Sequence, residues 1–359
     1  PEDMLREDAG DAAPAPFVEV AEPAPSPHQI EALADLVAGA ERLFMILGGG
    51  RWDAAARQAA QDFSAAHDIP TAVSFRRQQL FDHLHPNYAG DMGPGINPAL
   101  RKGVEDADLI LLVGGRLSEM PSQGFELLTF PKTQAKLVHV HPGPEELGRI
   151  YAPTLGINAT PGAFFSAADA LPAQESQGRG EAAHAGYRAW TDTPPITPGR
   201  AEMGPIMDHL RMAAPEAIVA NGAGNYAIWV HRFWRFREYG TQLAPTSGSM
   251  GAGLPGALAA KLRRPEREVI CFAGDGCFQM TSQEFGVAAQ YGLPIIVIVV
   301  DNEAYGTIRM HQERDYPTRE VGTALANPDF AAIARAYGGH GETVEKTEDF
   351  AEAFERARA

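Results

Sequence analysis

The sequence of 359 residues contains little cysteine and no long apolar run. Cys271 and Cys277, its only cysteines, lie six positions apart around the end of an apolar stretch. This pattern favours small buried residues over a disulfide or a metal pair. The longest strongly apolar run, residues 293–300, is far shorter than the roughly 20 residues of a membrane span. These absences predict a protein of a reducing, cytoplasmic compartment with no membrane partner.

Positive charge is also scarce, with 30 Lys and Arg against 46 Asp and Glu and a formal net charge of −16. No stretch is rich in Lys or Arg, which argues against DNA or RNA as a partner because phosphate backbones are bound by basic surfaces. The hydrophobic content of 45% excludes a disordered acidic chain. At roughly 100–200 residues per domain, this length predicts two domains, each with its own core.

Both ends of the sequence suggest a piece of a longer protein. The chain opens on Pro1-Glu2-Asp3-Met4, with no initiator Met and no signal segment, and closes at 351–359 inside a helical pattern without a cap. Prolines are concentrated between 11 and 27, a composition that propagates neither helix nor sheet. We therefore expect 1–27 to be a linker from a missing N-terminal domain.

Residues 28–171 alternate between helical patterns and short apolar strands. Helices are predicted at 28–40, 53–67 and 97–106, and strands at 43–47, 109–113 and 136–140, two of them followed directly by glycines. Continuous apolar strands separated by helices are typical of a parallel sheet covered on both faces. The pattern predicts one Rossmann-like domain.

A second alternation follows a stretch rich in Pro and Gly at 172–200, which is interpreted as a linker. Helices are predicted at 201–212, from 226, and at 251–262, 281–291 and 328–337, with strands at 217–220, 240–244, 268–273 and 294–300. The fold class is therefore α/β, with two doubly wound parallel-sheet domains, 28–171 and 201–359, joined by a Pro/Gly-rich linker. The second domain is expected to be truncated at its C-terminus.

The most informative motif is Gly274-Asp275-Gly276 at the end of one predicted strand, with Asn302 at the end of the next. Successive parallel strands end at the same edge of a sheet, so the two polar side chains can share a ligand. Carboxylate and amide oxygens suit Mg²⁺ or Ca²⁺, and the glycines allow close approach of an anion. The combination predicts a metal-bridged diphosphate site, whereas a lone motif of this kind would more often be a tight turn.

A further glycine-rich segment, 246–257, reads TSGSMGAGLPGA and favours the ligand site over the simple turn. With this segment, the chain from 28 to 359 resembles the middle and C-terminal domains of thiamine-diphosphate-dependent enzymes of the acetolactate synthase and benzoylformate decarboxylase type. The resemblance implies thiamine diphosphate and Mg²⁺ as cofactors. It also implies that Asp275, Asn302 and the carbonyl of Ala304 bind the metal.

The same resemblance assigns the remaining cofactor contacts. Met250 would act as a wedge that keeps the cofactor bent, although in isolation it would be interpreted as a core residue. The full set of implied cofactor-binding residues is Gly224, Asn225, Tyr226, Gly248, Ser249, Met250, Gly274, Asp275, Gly276, Cys277, Asn302, Tyr305, Gly306 and Thr307.

In the first domain, some members of this family hold FAD or ADP. The turn at 48–50 lacks the third glycine of the dinucleotide fingerprint, where Asp53 stands instead, and this favours a domain without a nucleotide. The pairs His83 and His85, and His139 and His141, have no third ligand at metal spacing. They are interpreted as ordinary core or surface histidines rather than zinc ligands.

The family also places a glutamate that activates the cofactor in an N-terminal pyrimidine-binding domain, which would precede Pro1. The catalytic residue is therefore not assigned, and the chain alone is expected to be nearly inactive. The family forms active sites between two subunits, so the resemblance implies a homodimer or homotetramer.

The substrate implied by the resemblance is a small 2-oxo acid, decarboxylated with either protonation or carboligation. Tyr305 to Arg309 resemble the benzoylformate type, while His311 stands where acetolactate synthases that select 2-oxobutyrate have Trp. Asp301 replaces the first Asn of the usual pair. Thr307 and His311 are the candidate substrate-side residues. The alternatives are a simple decarboxylase and, from another class, a non-catalytic nucleotide-binding or regulatory module.

Overall fold

Two parallel sheets, each covered by helices, make up the fold. The computed structural model describes residues 2–8, 10–11, 13–197 and 199–359. Four residues of the predicted linkers, Pro1, Ala9, Ala12 and Pro198, therefore lie outside the described residues. The predicted α/β class with two parallel-sheet domains is confirmed. Among the described residues, no helix is both long enough and apolar enough to cross a membrane.

The first domain contains six strands, β1 to β6 in chain order, and is flanked by five helices, α1 to α5. The strands are Leu43–Leu47, Thr71–Ser74, Tyr88–Met92, Leu109–Val113, Lys136–His141 and Leu155–Asn158. The helices are Pro27–Ala38, Ala54–Ala66, Pro98–Glu105, Pro161–Ala168 and Arg179–Thr191.

All neighbours in this sheet are parallel, in the order β3-β2-β1-β4-β5-β6. The order reverses between β1 and β4, which in doubly wound folds is the place where ligands bind. Here the glycines after β1 pack on those after β4: a Cβ added to Gly49 would lie 1.7 Å from the carbonyl oxygen of Gly114. That this domain holds no FAD or ADP, as the missing third glycine of the fingerprint favours, stays a prediction.

The stretch 172–200 is not simply a linker, because it contains α5. This helix packs against β3 and α3. Gly180 lies so close to Asn87 that an added Cβ would be 1.9 Å from the amide oxygen, and Tyr187 is buried in the first core. Small residues allow the close approach, and the same small residues made the helix look like a flexible connection in the sequence.

The second domain contains four strands, β7 to β10, and eight helices, α6 to α13. The strands are Ile218–Asn221, Gln242–Leu243, Val269–Gly274 and Ile296–Val300. The helices are Met203–Ala213, Ala227–Phe233, Gly253–Arg263, Asp275–Gln279, Phe285–Tyr291, Gly306–Asp315, Phe330–Ala336 and Phe350–Arg358.

This sheet is also parallel, in the order β10-β9-β7-β8. Apolar side chains of β7 and β9 pack against helices on both faces, which is why these strands appear in the sequence as unbroken apolar runs. The arrangement places the ends of β9 and β10 side by side at one edge.

Candidate active site

The carboxyl ends of β9 and β10 bring together Asp275 and Asn302. The strands pair in register, with Val300 opposite Gly274, so the chain leaves both strands at the same edge. Asp275 is the first residue of α9, and Asn302 lies just beyond β10. The two side chains therefore belong to one site.

Asp275 is a buried carboxylate surrounded by three N–H donors. Its Oδ1 accepts from the backbone N–H of Gly276 at 2.8 Å. Its Oδ2 accepts from the backbone N–H of Ala304 at 3.2 Å and from the side-chain amide of Asn327 at 2.8 Å. Because an ionised carboxylate offers about four lone-pair sites, three donors leave capacity for one bond to a cation.

The backbone N–H of Ala304 marks the point where the implied metal ligands meet. It donates to Asp275 Oδ2 at 3.2 Å and to Asn302 Oδ1 at 3.3 Å, so both oxygens lie around the same N–H group. An antiparallel bridge between Ala304 and Ala324 anchors this loop. Carboxylate, amide and backbone carbonyl oxygens are the donor set that Mg²⁺ accepts.

The glycines on either side of Asp275 pack directly against aromatic rings. A Cβ on Gly274 would lie 2.8 Å from the ring of Tyr226, and a Cβ on Gly276 would lie 2.6 Å from the ring of Tyr305. A side chain at either position would therefore require the rings to move. This packing is the reason that the turn needs glycine.

The loop before α7 closes another side of the site. Gly224 has a φ of +146°, and Asn225 Oδ1 accepts from the hydroxyl of Thr307 at 2.9 Å. The hydroxyl of Tyr226 donates to Cys277 Sγ at 3.3 Å. Burial, with the nearby Cys277 thiol, raises the pKa of Tyr226, so its hydroxyl remains a donor at neutral pH.

These elements enclose a cavity of about 230 Å³. Most of the implied cofactor residues lie on its wall, namely Gly224, Asn225, Tyr226, Met250, Gly274, Asp275, Gly276, Cys277, Asn302, Ala304, Tyr305, Gly306 and Thr307. The remaining wall residues, which the sequence did not indicate, are Ala223, Trp229, Val300 and Ile308.

Three implied residues lie away from the cavity wall. Gly248 faces the first domain, where the guanidinium of Arg76 would be 3.5 Å from an added Cβ. Ser249 shares a hydrogen bond of 2.7 Å with the hydroxyl of Ser247. His311 is an exposed residue of α11. Of the glycine-rich segment 246–257, which the structure describes in full, only Met250 lies on the cavity wall.

Two more residues that contact this region, beyond the wall residues above, were not indicated by the sequence. Asn327 bonds Asp275, and Arg76 of the first domain donates to the carbonyl of Pro245. Neither belongs to a recognisable motif, and each partner is far away in the sequence. Arg76 follows β2, whose end faces the second domain. Because β2 was itself not predicted from the sequence, this position gave no signal.

Three of the four histidines considered as zinc ligands, namely His83, His139 and His141, contact backbone carbonyls. The ring nitrogens of His83 lie 3.2 Å from the carbonyl of Trp234 and 3.0 Å from that of Gln78. Burial lowers the pKa of His83 to about 3. His139 Nε2 lies 2.9 Å from the carbonyl of Gly115. These contacts explain the histidines through packing within and between the domains.

Two family models match the chain. The central domain of thiamine pyrophosphate enzymes matches residues 30–168, and the C-terminal TPP binding domain of thiamine pyrophosphate enzymes matches residues 222–359. The chain belongs to the thiamine pyrophosphate enzyme family. Thiamine pyrophosphate is another name for thiamine diphosphate, and the diphosphate-type motif built on Asp275 lies inside the second match.

The thiamine pyrophosphate enzymes similar to this chain include several acetolactate synthases. The large subunit from Parasynechococcus marenigrum (strain WH8102) is 28% identical over 89% of this chain and 52% of that protein. The enzyme from Mycobacterium avium is 29% identical over 94% of this chain and 56% of that protein. The isozyme 2 large subunit from Escherichia coli (strain K12) is 27% identical over 89% of this chain and 58% of that protein. The chain thus spans about half the length of these relatives.

Among solved structures, a thiamine diphosphate-dependent 4-hydroxybenzoylformate decarboxylase from Rhodococcus jostii RHA1 has a similar fold. Its TM-score is 0.77 with 24% sequence identity, over 96% of this chain and 64% of that one. This likeness supports the two-domain α/β architecture of a thiamine pyrophosphate enzyme.

Proposed function

We propose that the protein containing this chain uses thiamine diphosphate and Mg²⁺ to break or form a carbon–carbon bond next to a carbonyl. Its substrates would be small 2-oxo acids, which lose CO₂ before the product is protonated or joined to a second carbonyl compound. The acetolactate synthases among its relatives favour the joining reaction. The enzyme would accordingly be a transferase or a lyase.

One observation carries this proposal: Asp275 Oδ2 and Asn302 Oδ1 both accept from the backbone N–H of Ala304. The convergence lies within the part matched by a TPP binding domain. Asp275 has one lone pair to spare, and the surrounding oxygens are hard donors, so the donor set fits Mg²⁺. Mg²⁺ in turn completes its coordination with phosphate oxygens and water.

In this proposal Asp275, Asn302 and the carbonyl of Ala304 hold the metal. The backbone N–H groups of Gly276 and Cys277 bind the diphosphate. Further diphosphate contacts would come from Gly224 to Tyr226, and aminopyrimidine contacts from Gly248 and Met250. When bound, thiamine diphosphate supplies the electron sink for the reaction. The chain supplies the orientation of the cofactor and the charges around it.

Calorimetric titration of the full-length protein with thiamine diphosphate, with and without Mg²⁺, tests the proposal. We expect binding that depends on the metal and is lost in Asp275→Ala, because the remaining neutral oxygens do not compensate the cation. Asp315→Ala is a matched control, since this carboxylate pairs with the exposed Arg314. Equal binding in wild type and Asp275→Ala would contradict the proposal.

A second candidate reaction is simple decarboxylation of the benzoylformate type. It is favoured by the sequence from Tyr305 to Arg309 and by the fold shared with a decarboxylase. With pyruvate and benzoylformate as substrates, the two reactions differ in product. Acetolactate from pyruvate would support carboligation, whereas an aldehyde and CO₂ without acetolactate would support the simple decarboxylase.

We further propose a homodimer or homotetramer with shared active sites in the cytoplasm. The family supports the oligomer with shared active sites. The acidic composition gives no indication of a nucleic acid or membrane partner. Because the chain spans about half the length of its relatives, we expect the 359 residues alone to show little turnover. Light scattering of the full-length protein and an activity assay of this chain test these points.

A further inference from the structure

A single amide group, that of Asn327, holds two carboxylates. Its Nδ2 donates to Asp275 Oδ2 at 2.8 Å and to Asp301 Oδ1 at 2.7 Å. A primary amide has two N–H bonds, so each carboxylate receives one. Asn327 lies 52 positions after Asp275 in the sequence, which means that this contact connects distant parts of the second domain.

The chemistry of its partners determines the orientation of this amide. Gln279 Nε2 donates to Asn327 Oδ1 at 2.9 Å, so both ends of the group are bonded. A rotation by about 180° would place Oδ1 against two carboxylates, which have no proton to donate. The N–H groups of Asn327 therefore face the acids.

The segment that carries Asn327 is anchored to the loop of the implied metal ligands. Ala324 forms a bridge with Ala304, and the N–H of Leu325 donates to the carbonyl of Glu303 at 2.8 Å. Asn327 follows two residues later. Its position relative to the carbonyl of Ala304 and the carboxylate of Asp275 is thereby restrained by backbone pairing.

We infer that Asn327 is a positioning residue of the metal site, which directs Asp275 toward the cation with one N–H bond and holds Asp301 with the other. The inference rests on the proposed function. Without the amide, Asp275 Oδ2 retains only the bond from Ala304, and Asp301 loses its shared donor. Removing a side chain that hydrogen-bonds to a metal ligand typically lowers the metal affinity by about 10- to 100-fold.

Asn327→Ala in the full-length protein tests the inference through two titrations. In the first, Mg²⁺ is added at a fixed concentration of thiamine diphosphate, and we expect the half-saturating Mg²⁺ concentration to rise about tenfold or more. In the second, thiamine diphosphate is added at saturating Mg²⁺, and we expect wild-type affinity. A merely structural role would weaken binding in both titrations and would overturn the inference.

Asp329→Ala provides a matched control from the same segment. Asp329 Oδ1 accepts from the N–H of Ala332 at the start of α12, so its loss affects the fold near Asn327 without removing the contact to Asp275. We expect a lower unfolding temperature and an unchanged Mg²⁺ requirement. If this variant raised the Mg²⁺ requirement as much as Asn327→Ala, general loosening would replace positioning as the explanation.

Gln279→Ala extends the test should Asn327→Ala fail to fold. It leaves Asn327 in place and removes only the donor to its Oδ1, so the Mg²⁺ requirement should rise by less than in Asn327→Ala. A wild-type Mg²⁺ requirement in the folded variants would overturn the inference alone, provided that Asp275→Ala abolishes binding. Absence of Mg²⁺-dependent binding in the wild-type protein would overturn the proposed function and this inference together.

Discussion

Cys277 is a packing residue at the wall of the candidate cofactor site. Its Sγ accepts from the backbone N–H of Gly251 at 3.0 Å and from the hydroxyl of Tyr226 at 3.3 Å. A Cβ added to Gly222 would lie only 2.3 Å from the sulfur. The thiol thus satisfies two buried donors in a space that admits little additional volume.

Replacing this thiol by a branched apolar group should destabilise the domain. Cys277→Val leaves the donors of Gly251 and Tyr226 unpaired and adds a methyl group near Gly222, so we expect a loss of about 2–4 kcal/mol in the free energy of unfolding. Chemical denaturation measures the effect. Cys277→Ser, which keeps an acceptor in a smaller side chain, should lose less, and equal stability of the two variants would contradict this account.

Among the elements, β9 and β10 could be predicted because the apolar pattern that identifies each strand lies within its own short stretch of sequence. Each is a continuous apolar run, and parallel strands end at one edge of their sheet, so the neighbourhood of Asp275 and Asn302 followed from the pattern. β3 was missed because Gly90 and Asp91 interrupt its apolar character. α5 was missed because Ala and Gly dominate its sequence.

Contacts between distant segments could not be predicted at all. Asn327 belongs to no recognisable motif, yet its amide reaches Asp275, which lies 52 positions earlier in the sequence. Arg76 follows β2, and its target, the carbonyl of Pro245, belongs to the other domain. Only the folded arrangement places these partners together, so a single sequence contains no pattern that identifies them.

At the scale of elements, the loop from 245 to 250 depends on the first domain. Arg76 has a left-handed backbone with a φ of +62°, and its guanidinium donates to the carbonyl of Pro245. Gln79 Oε1 accepts from the backbone N–H of Gly240 at 2.8 Å and that of Gln242 at 3.2 Å. The first domain thus supports the short strand β8 and the loop that follows it.

Arg76→Met should therefore weaken cofactor binding without unfolding the protein. Loss of a charge-assisted hydrogen bond of about 1.5–3 kcal/mol frees the loop that contains Gly248 and Met250, so the Kd of thiamine diphosphate at saturating Mg²⁺ should rise about tenfold. Calorimetry gives this value. Arg149→Met, which removes an exposed partner of Glu146, is the control, and an unchanged Kd in Arg76→Met would refute the prediction.

In the whole molecule, buried polar contacts join the two domains. The backbone N–H of His83 donates to the carbonyl of Phe236 at 3.0 Å, and the ring of His231 meets that of Phe75 edge-on at 5.3 Å between centroids. Burial lowers the pKa of both histidines to about 3, with the cations of nearby arginines adding to the effect. The interface therefore requires both rings to be neutral.

Acid should weaken this interface in a defined pH range. In the unfolded chain a histidine has a pKa of about 6.5, so these two groups bind protons more strongly in the unfolded state than in the folded one. Their contribution to stability is fully present above that value and is lost as the pH falls toward 3. At pH 5 each histidine should lower the free energy of unfolding by about 2 kcal/mol.

His231→Phe separates this effect from other acid effects. It keeps an aromatic ring against Phe75 and removes the titrating group, so the stability lost between pH 7.5 and pH 5 should be smaller than in the wild-type protein by about 2 kcal/mol in denaturation curves. His28→Gln serves as the control, because the His28 side chain is 91% exposed. If His231→Phe lost as much stability as the wild-type protein over this range, His231 would not be a source of the acid sensitivity.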